Sequence, residues 1–191
     1  MTIDANTKPG IVKIKIGKNS HDWTLKNKNT SGVGKTYAQG VTSKDLMYLI
    51  MPDRFANGNP SNDRIPRMKD QSLNRDTVFN RHGGDLQGII DHLDYFNQLG
   101  VTALWLNPVL ENDMPNRTEH GYAFTDHYTI DPRLGGNKAY RKLVDAAHRK
   151  GIKIIQDAVY NHIGLYHWCV TDPPMKDWLH QWPSFTQTSY K

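Results

Sequence analysis

At 191 residues and 37% hydrophobic content, the chain is long enough for one ordinary core, and no window of it is apolar enough for a membrane span. Its single cysteine, Cys169, excludes an internal disulfide and reads as an inert thiol in an aromatic stretch. The net charge of +5 is local, since residues 1–44 carry eight lysines against Asp4 and Asp22, while residues 45–191 carry sixteen Lys and Arg against seventeen acids; no nucleic-acid or membrane partner is therefore expected.

Ile11-Val-Lys-Ile-Lys-Ile16 alternates with period two, GKNSHD supplies turn residues, and Trp23-Thr-Leu25 begins a second run, so the chain opens with a β-hairpin. Lys13, Lys15, Lys26 and Lys28 are expected on its wet face. A lone hairpin is marginal, so it is expected to complete a small β-domain. Asn27–Gly40, rich in Asn, Gly, Ser and Thr, reads as a linker that the domain bounds place at 31–44. The opening MTIDANTKPG has no apolar signal region. The chain as it stands is therefore expected in the cytoplasm, and a periplasmic or secreted location stays open if residues precede it.

From residue 45 the pattern changes. Asp45–Met51 is a continuous apolar run ended by Pro52, as for a strand buried on both faces. Leu86, Ile89, Ile90, Leu93, Phe96 and Leu99 follow helical spacing, with Gly100 at the C-cap. Val101–Leu106 is a second strand. Tyr140, Leu143, Val144 and Ala147 mark a second helix closed by Gly151, and Ile152–Val159 is a third strand. Strand, helix, strand, helix, strand implies a parallel sheet. The long loops 52–84 and 107–136 favour the start of a (β/α)8 TIM barrel over an open sheet, because that fold builds its sites on loops at the C-terminal ends of the strands.

Chemistry-bearing residues fall on those loops. Asp157-Ala-Val-Tyr-Asn161-His162 puts a carboxylate, an amide and an imidazole at the tip of the third strand. The carboxylate is suited to fixing a cation and the imidazole to donating to a sugar hydroxyl. His120-Gly-Tyr122 lies in the loop after the second strand. Asn57-Gly-Asn59-Pro-Ser-Asn62-Asp63 followed by Gly83-Gly-Asp85 offers oxygen at the density that calcium requires. The same residues also suit turn chemistry and a helix cap at Asp85. A zinc site from His162, His167 and Cys169, with or without Asp157, fits no standard spacing. Trp168, Trp178 and Trp182 are expected to pack, although sugar platforms use the same residue type.

Four segments, MPDRFANGNPSND, RHGGDLQGIIDHLDYFNQLGVTALWLNPVLEND, HGYAFTDHYTIDPRLGG and KGIKIIQDAVYNH, resemble the α-amylase family of glycoside hydrolases, family 13, in its neopullulanase and cyclomaltodextrinase branch. The resemblance runs from about Asp45 to the end. It implies the front of the barrel over residues 45–191, strands one to three, with the start of an inserted domain B. Residues 1–30 would then be the last hairpin of an immunoglobulin-like domain. It further implies retaining hydrolysis of α-glucans such as maltooligosaccharides, cyclodextrins or pullulan. Asp157 would orient an arginine beside the nucleophile, His162 would hydrogen-bond the sugar at the scissile bond, Tyr122 would stack on that sugar, and His120 would join the substrate site.

The same resemblance implies one Ca2+ held by Asn57, Asn59, Asn62, Asp63, Gly83 and Asp85. Asn161 matches a second calcium position that parts of the branch lack, so a structural hydrogen bond is an equal alternative. The nucleophile and acid/base belong to later strands, so this chain alone is expected to be inactive, and Glu111 and Glu119 are read as solvated or structural. A homodimer is an assembly the resemblance allows for the full-length enzyme. The competing class is a non-catalytic carbohydrate-binding or remnant protein.

Overall fold

The computed structural model describes residue 4, residues 6–27 and residues 40–184. Most of the expected linker, Lys28 and the last seven residues of the 45–191 segment lie outside the described residues. Contacts divide the chain into two units, Met1–Gly40 and Val41–Lys191.

In the first unit β1 (Gly10–Ile16) pairs antiparallel with β2 (Asn19–Leu25), Ile16 opposite Asn19. Both strands are longer than the alternation predicts. The turn is only Gly17-Lys18, so Asn19, Ser20, His21 and Asp22, read as turn residues, join the ladder instead. Gly17 has φ +62, which a two-residue hairpin turn demands and which glycine adopts without strain.

In the second unit β3 (Met47–Ile50), β4 (Ala103–Leu106) and β5 (Lys153–Gln156) form a parallel sheet in that order. The strands are shorter than the apolar runs, because at both ends the backbone turns into loops. After the single turn α1 (Pro52–Phe55), α2 (Leu86–Asp91), α3 (Leu93–Gln98) and α4 (Gly136–Arg149) cover one face of the sheet. Ile50, Leu104, Leu106 and Ile152 meet Leu86, Ile89, Leu93, Phe96, Leu143 and Ala147 there, all buried in one cluster.

In the described residues one of the two apolar faces of β3 is covered. Tyr48 and Ile50 point to the helices, while Leu49 is 58% and Met47 48% exposed. A continuous apolar run reports two apolar faces and says nothing of what covers the second. The predicted helix 86–99 breaks into α2 and α3 at His92, where φ is −111 and ψ 16. There the ring Nδ1 lies 2.7 Å from the Gly88 carbonyl. Gly100, at φ +77, ends the helix as expected.

At the N-terminal ends of the strands, Asp45 receives Lys153 Nζ at 2.8 Å and Thr102 Oγ1 at 3.0 Å. The Lys153 ammonium, ahead of the Thr42 backbone N–H, holds this carboxyl well below the usual carboxylate range. The clamp ties all three strand starts together and leaves the opposite ends free to carry loops.

Candidate active site and calcium loop

The loops leaving β3, β4 and β5 converge at those opposite ends. Tyr122 Oη donates to Asp157 Oδ2 at 2.8 Å, and Trp105 Nε1, from β4, donates to the same oxygen at 3.3 Å. His162 Nε2 lies 2.9 Å from the Tyr122 carbonyl, and Asn161 Nδ2 lies 3.3 Å from His162 Nδ1. The two contacts agree on one tautomer, in which Nδ1 accepts from Asn161 and Nε2 carries the proton toward the carbonyl. Asn161 therefore sits as an orienting partner of His162.

The Tyr122 backbone N–H donates to His120 Nδ1 at 2.9 Å, and the two rings stack at 5.9 Å and 28°. Burial pulls the His120 imidazole below its ordinary value, against the charge of Glu119. Burial, with the Asp157 carboxylate behind it, pushes the Tyr122 phenol up, so its proton stays in place as a donor. Tyr122 is nevertheless 37% exposed. The result is an aromatic face with a polar edge, open to solvent and backed by an oriented imidazole and a carboxylate, a combination suited to stacking and hydrogen-bonding a sugar.

Trp105 was not singled out by sequence. It lies inside an apolar run, where only the strand register reveals that it faces the Asp157 side.

Beneath these loops the polar residues are buried. Asp85 accepts Gly88 N at 2.7 Å as the N-cap of α2, and also Gly58 N at 3.1 Å, Asn59 N at 2.9 Å and Asn62 Nδ2 at 3.2 Å. The alternative reading of Asp85 as a helix cap is thus realised. Asn59 Oδ1 accepts Ser61 N and Oγ, so in this structure Asn59 caps the Pro60–Asn62 turn.

Asn57 Nδ2 donates to Asp63 Oδ1 at 2.7 Å. Gly83, at φ +82, passes so close that an added Cβ would lie 2.9 Å from both those atoms. The Oδ1 atoms of Asn57 and Asn62 are buried without a hydrogen bond. Each amide thus turns its NH2 group toward a carboxylate and its acceptor away. A flip of either amide brings an oxygen to the spot where a cation would bridge to Asp63 or Asp85. The donor set of Asn57, Asn62, Asp63, Gly83 and Asp85 therefore fits a hard cation.

Among the described residues no three of His, Cys, Asp and Glu gather as a metal site. His162, His167 and Cys169 do not gather, and the amide-rich loop at residues 57–63 is of a different kind. His167 faces His127 instead, with Nε2 to Nδ1 at 2.8 Å.

The model of the α-amylase family, described as "Alpha amylase, catalytic domain", matches residues 49–187. The chain belongs to this family. Neopullulanase 2 of Thermoactinomyces vulgaris is 46% identical over 122 residues, covering 62% of this chain and 20% of that protein. A cyclomaltodextrinase of Thermoanaerobacter pseudethanolicus is 38% identical over 156 residues, covering 77% of this chain and 26% of the relative. The crystal structure of an Anoxybacillus α-amylase superposes with a TM-score of 0.61 at 41% identity, over 72% of this chain and 28% of that one. The chain thus spans 20–28% of the length of these relatives.

Proposed function

We propose that the chain supplies one wall of the active site of a retaining α-glucan hydrolase, built on the first three strands of a (β/α)8 barrel. The observation that carries this reading is the meeting of Tyr122, Asp157 and His162, from two loops 35 to 40 residues apart, at one end of the sheet. In it the Tyr122 ring stacks on a glucose unit, and His162, held by Asn161, presents its N–H to the sugar in place of the Tyr122 carbonyl. Asp157, which accepts from the tyrosine hydroxyl, is placed to orient a cationic partner. Neither nucleophile nor acid/base is assigned to any residue of this chain. Names printed for the relatives, neopullulanase and cyclomaltodextrinase, support maltooligosaccharides, cyclodextrins or pullulan as the substrate class.

A calcium ion belongs to the same proposal. Asn57, Asn59, Asn62, Asp63, Asp85 and the Gly83 carbonyl would hold it, and its part is to pin the loop after β3 to the start of α2. The test of the site reading is His162→Ala in the α-glucan-hydrolysing enzyme. A loss of about 1.5–3 kcal/mol in kcat/KM is expected for a hydrogen bond to the reacting sugar, and wild-type kinetics would remove His162 from the site.

A further inference from the structure

Outside the sugar-facing cluster, unpaired polar atoms concentrate in one place. Asn112 Oδ1, Glu119 Oε2, Asp53 Oδ1 and the Nε and Nη2 atoms of Arg81 are buried without a hydrogen bond. Asp53, Arg81 and Asn112 are 1–2% exposed, and all four residues line one small cavity between the loops that follow β3 and β4. Buried polar atoms are nearly always paired in proteins, with protein or with ordered water. Five unpaired atoms around one cavity therefore share one explanation.

Two of them nearly satisfy each other, because Arg81 Nη2 lies 3.3 Å from Asp53 Oδ1 as an ion pair. Three remain: one donor, Arg81 Nε–H, and two acceptors, Asn112 Oδ1 and Glu119 Oε2. Arg81 Nη1 is already given to Thr118, at 3.3 Å to Oγ1, and Asn112 Nδ2 to the Thr118 carbonyl at 3.4 Å. The cavity offers ≈ 10 Å³ to the centre of a water-sized sphere, about the room of one molecule. One water has two hydrogens and two lone pairs, which matches two acceptors and one donor.

We propose that Arg81, Asn112 and Glu119 bind a single structural water, which fastens the His120-Gly-Tyr122 segment from below. Glu119 is the residue before His120. Gly121, which also lines the cavity, has φ +81 and presses so close to the Pro108 carbonyl that an added Cβ would lie 2.0 Å away. The segment therefore has no room to shift downward, and the water closes the remaining gap. A sodium or calcium ion is disfavoured because the Arg81 guanidinium points its charge into the same space. Glu119 on this account is a positioning residue for the loop that carries Tyr122, and not a catalytic carboxylate.

A crystal structure of the protein at a resolution that shows ordered water tests this directly. The expected result is one solvent peak about 2.7–3.2 Å from Arg81 Nε, Asn112 Oδ1 and Glu119 Oε2. Direct pairing of Arg81 with Glu119 and an empty cavity would overturn the proposal, as would a peak with oxygen contacts of about 2.3–2.6 Å, which marks a cation. Thermal unfolding gives an independent arm. Glu119→Gln keeps an acceptor and is expected to hold the melting temperature within about 2 °C, whereas Glu119→Leu strands the water and Arg81 and lowers it by roughly 4–8 °C. Equal losses in the two variants would show that the charge of Glu119, and not the water, is what the cavity needs.

Discussion

The polar interior beneath the loops and the polar cluster on top of them use similar residues to opposite ends. Below, Asp85 is fully buried and holds four N–H donors, and Arg133, 1% exposed, clamps Asp131 while donating to the Asn112 and Asp70 carbonyls. Above, Tyr122, Asp157 and His162 form a short chain of contacts at the solvent edge, with both donors to Asp157 falling on Oδ2. A buried group that already holds several donors gives stability first, and any ligand must compete with those donors. An exposed group with few orienting bonds has capacity in reserve. The contrast separates carboxylates that build the site from those that act in it, and it can be tested by breaking one of each.

The largest effect is expected from Asp85→Ala. It uncaps α2 and leaves the N–H groups of Gly58, Asn59 and Gly88 without an acceptor in a dry interior, at about 1–3 kcal/mol for each orphaned donor that water cannot reach. A loss of about 3 kcal/mol or more in urea unfolding is expected, with calcium absent as well as present. A loss seen only with calcium would make Asp85 a metal ligand first and a cap second.

The existence and order of the sheet elements were legible in the sequence because three apolar runs and two helical periods punctuated by Gly100 and Gly151 leave little choice. Strand ends were not, since Val101 and Ile152 are as apolar as the residues inside the ladder and differ only in hydrogen bonding. Of the site, Tyr122, Asp157 and His162 were found through motif resemblance, and the structure brings them together. Asn59 reads alike as a turn cap and as a ligand, because an amide that caps its own turn and an amide that ligates a metal have the same sequence context. Trp105, Arg81 and Asn112 went unnoticed because burial and register decide their roles, and a single sequence displays neither.

A smaller effect is expected from acidification, through the histidine pair that joins the loop after β4 to the start of α5 (Trp168–Thr171). His167 is fully buried, its Nδ1 accepts Cys169 N at 3.0 Å and its Nε2 donates to His127. Burial, and then the neighbouring His127, holds it below the ordinary histidine value of 6.5, while Asp126 pulls the other way. The unfolded chain therefore takes up the proton first. The stability that this pair contributes is fully present above pH 6.5 and declines as pH falls from there toward the folded-state value. His167→Asn keeps an acceptor for Cys169 and removes the titration, so its melting temperature is expected to change less between pH 7 and pH 5 than that of the natural protein. Parallel profiles would assign the acid sensitivity elsewhere, for instance to His120.

The smallest effect on stability, and the sharpest test of the contrast, is expected from Tyr122→Phe. The substitution removes one hydroxyl from an exposed residue and leaves the ring, the stack on His120 and the carbonyl facing His162 intact. Asp157 keeps Trp105 Nε1 and gains access to water, so no buried group is orphaned, and stability is expected to stay within about 0.5 kcal/mol. The working surface loses more, because the hydroxyl fixes the angle of the ring and tempers the charge of Asp157. In the hydrolysing enzyme a drop of about 1 kcal/mol in kcat/KM is expected, roughly fivefold. Urea unfolding and kinetics on one maltooligosaccharide measure both quantities in the same preparation. If stability falls by more than about 1.5 kcal/mol while kinetics hold, the upper cluster belongs with the buried scaffold, and the division between building and acting carboxylates fails at Asp157.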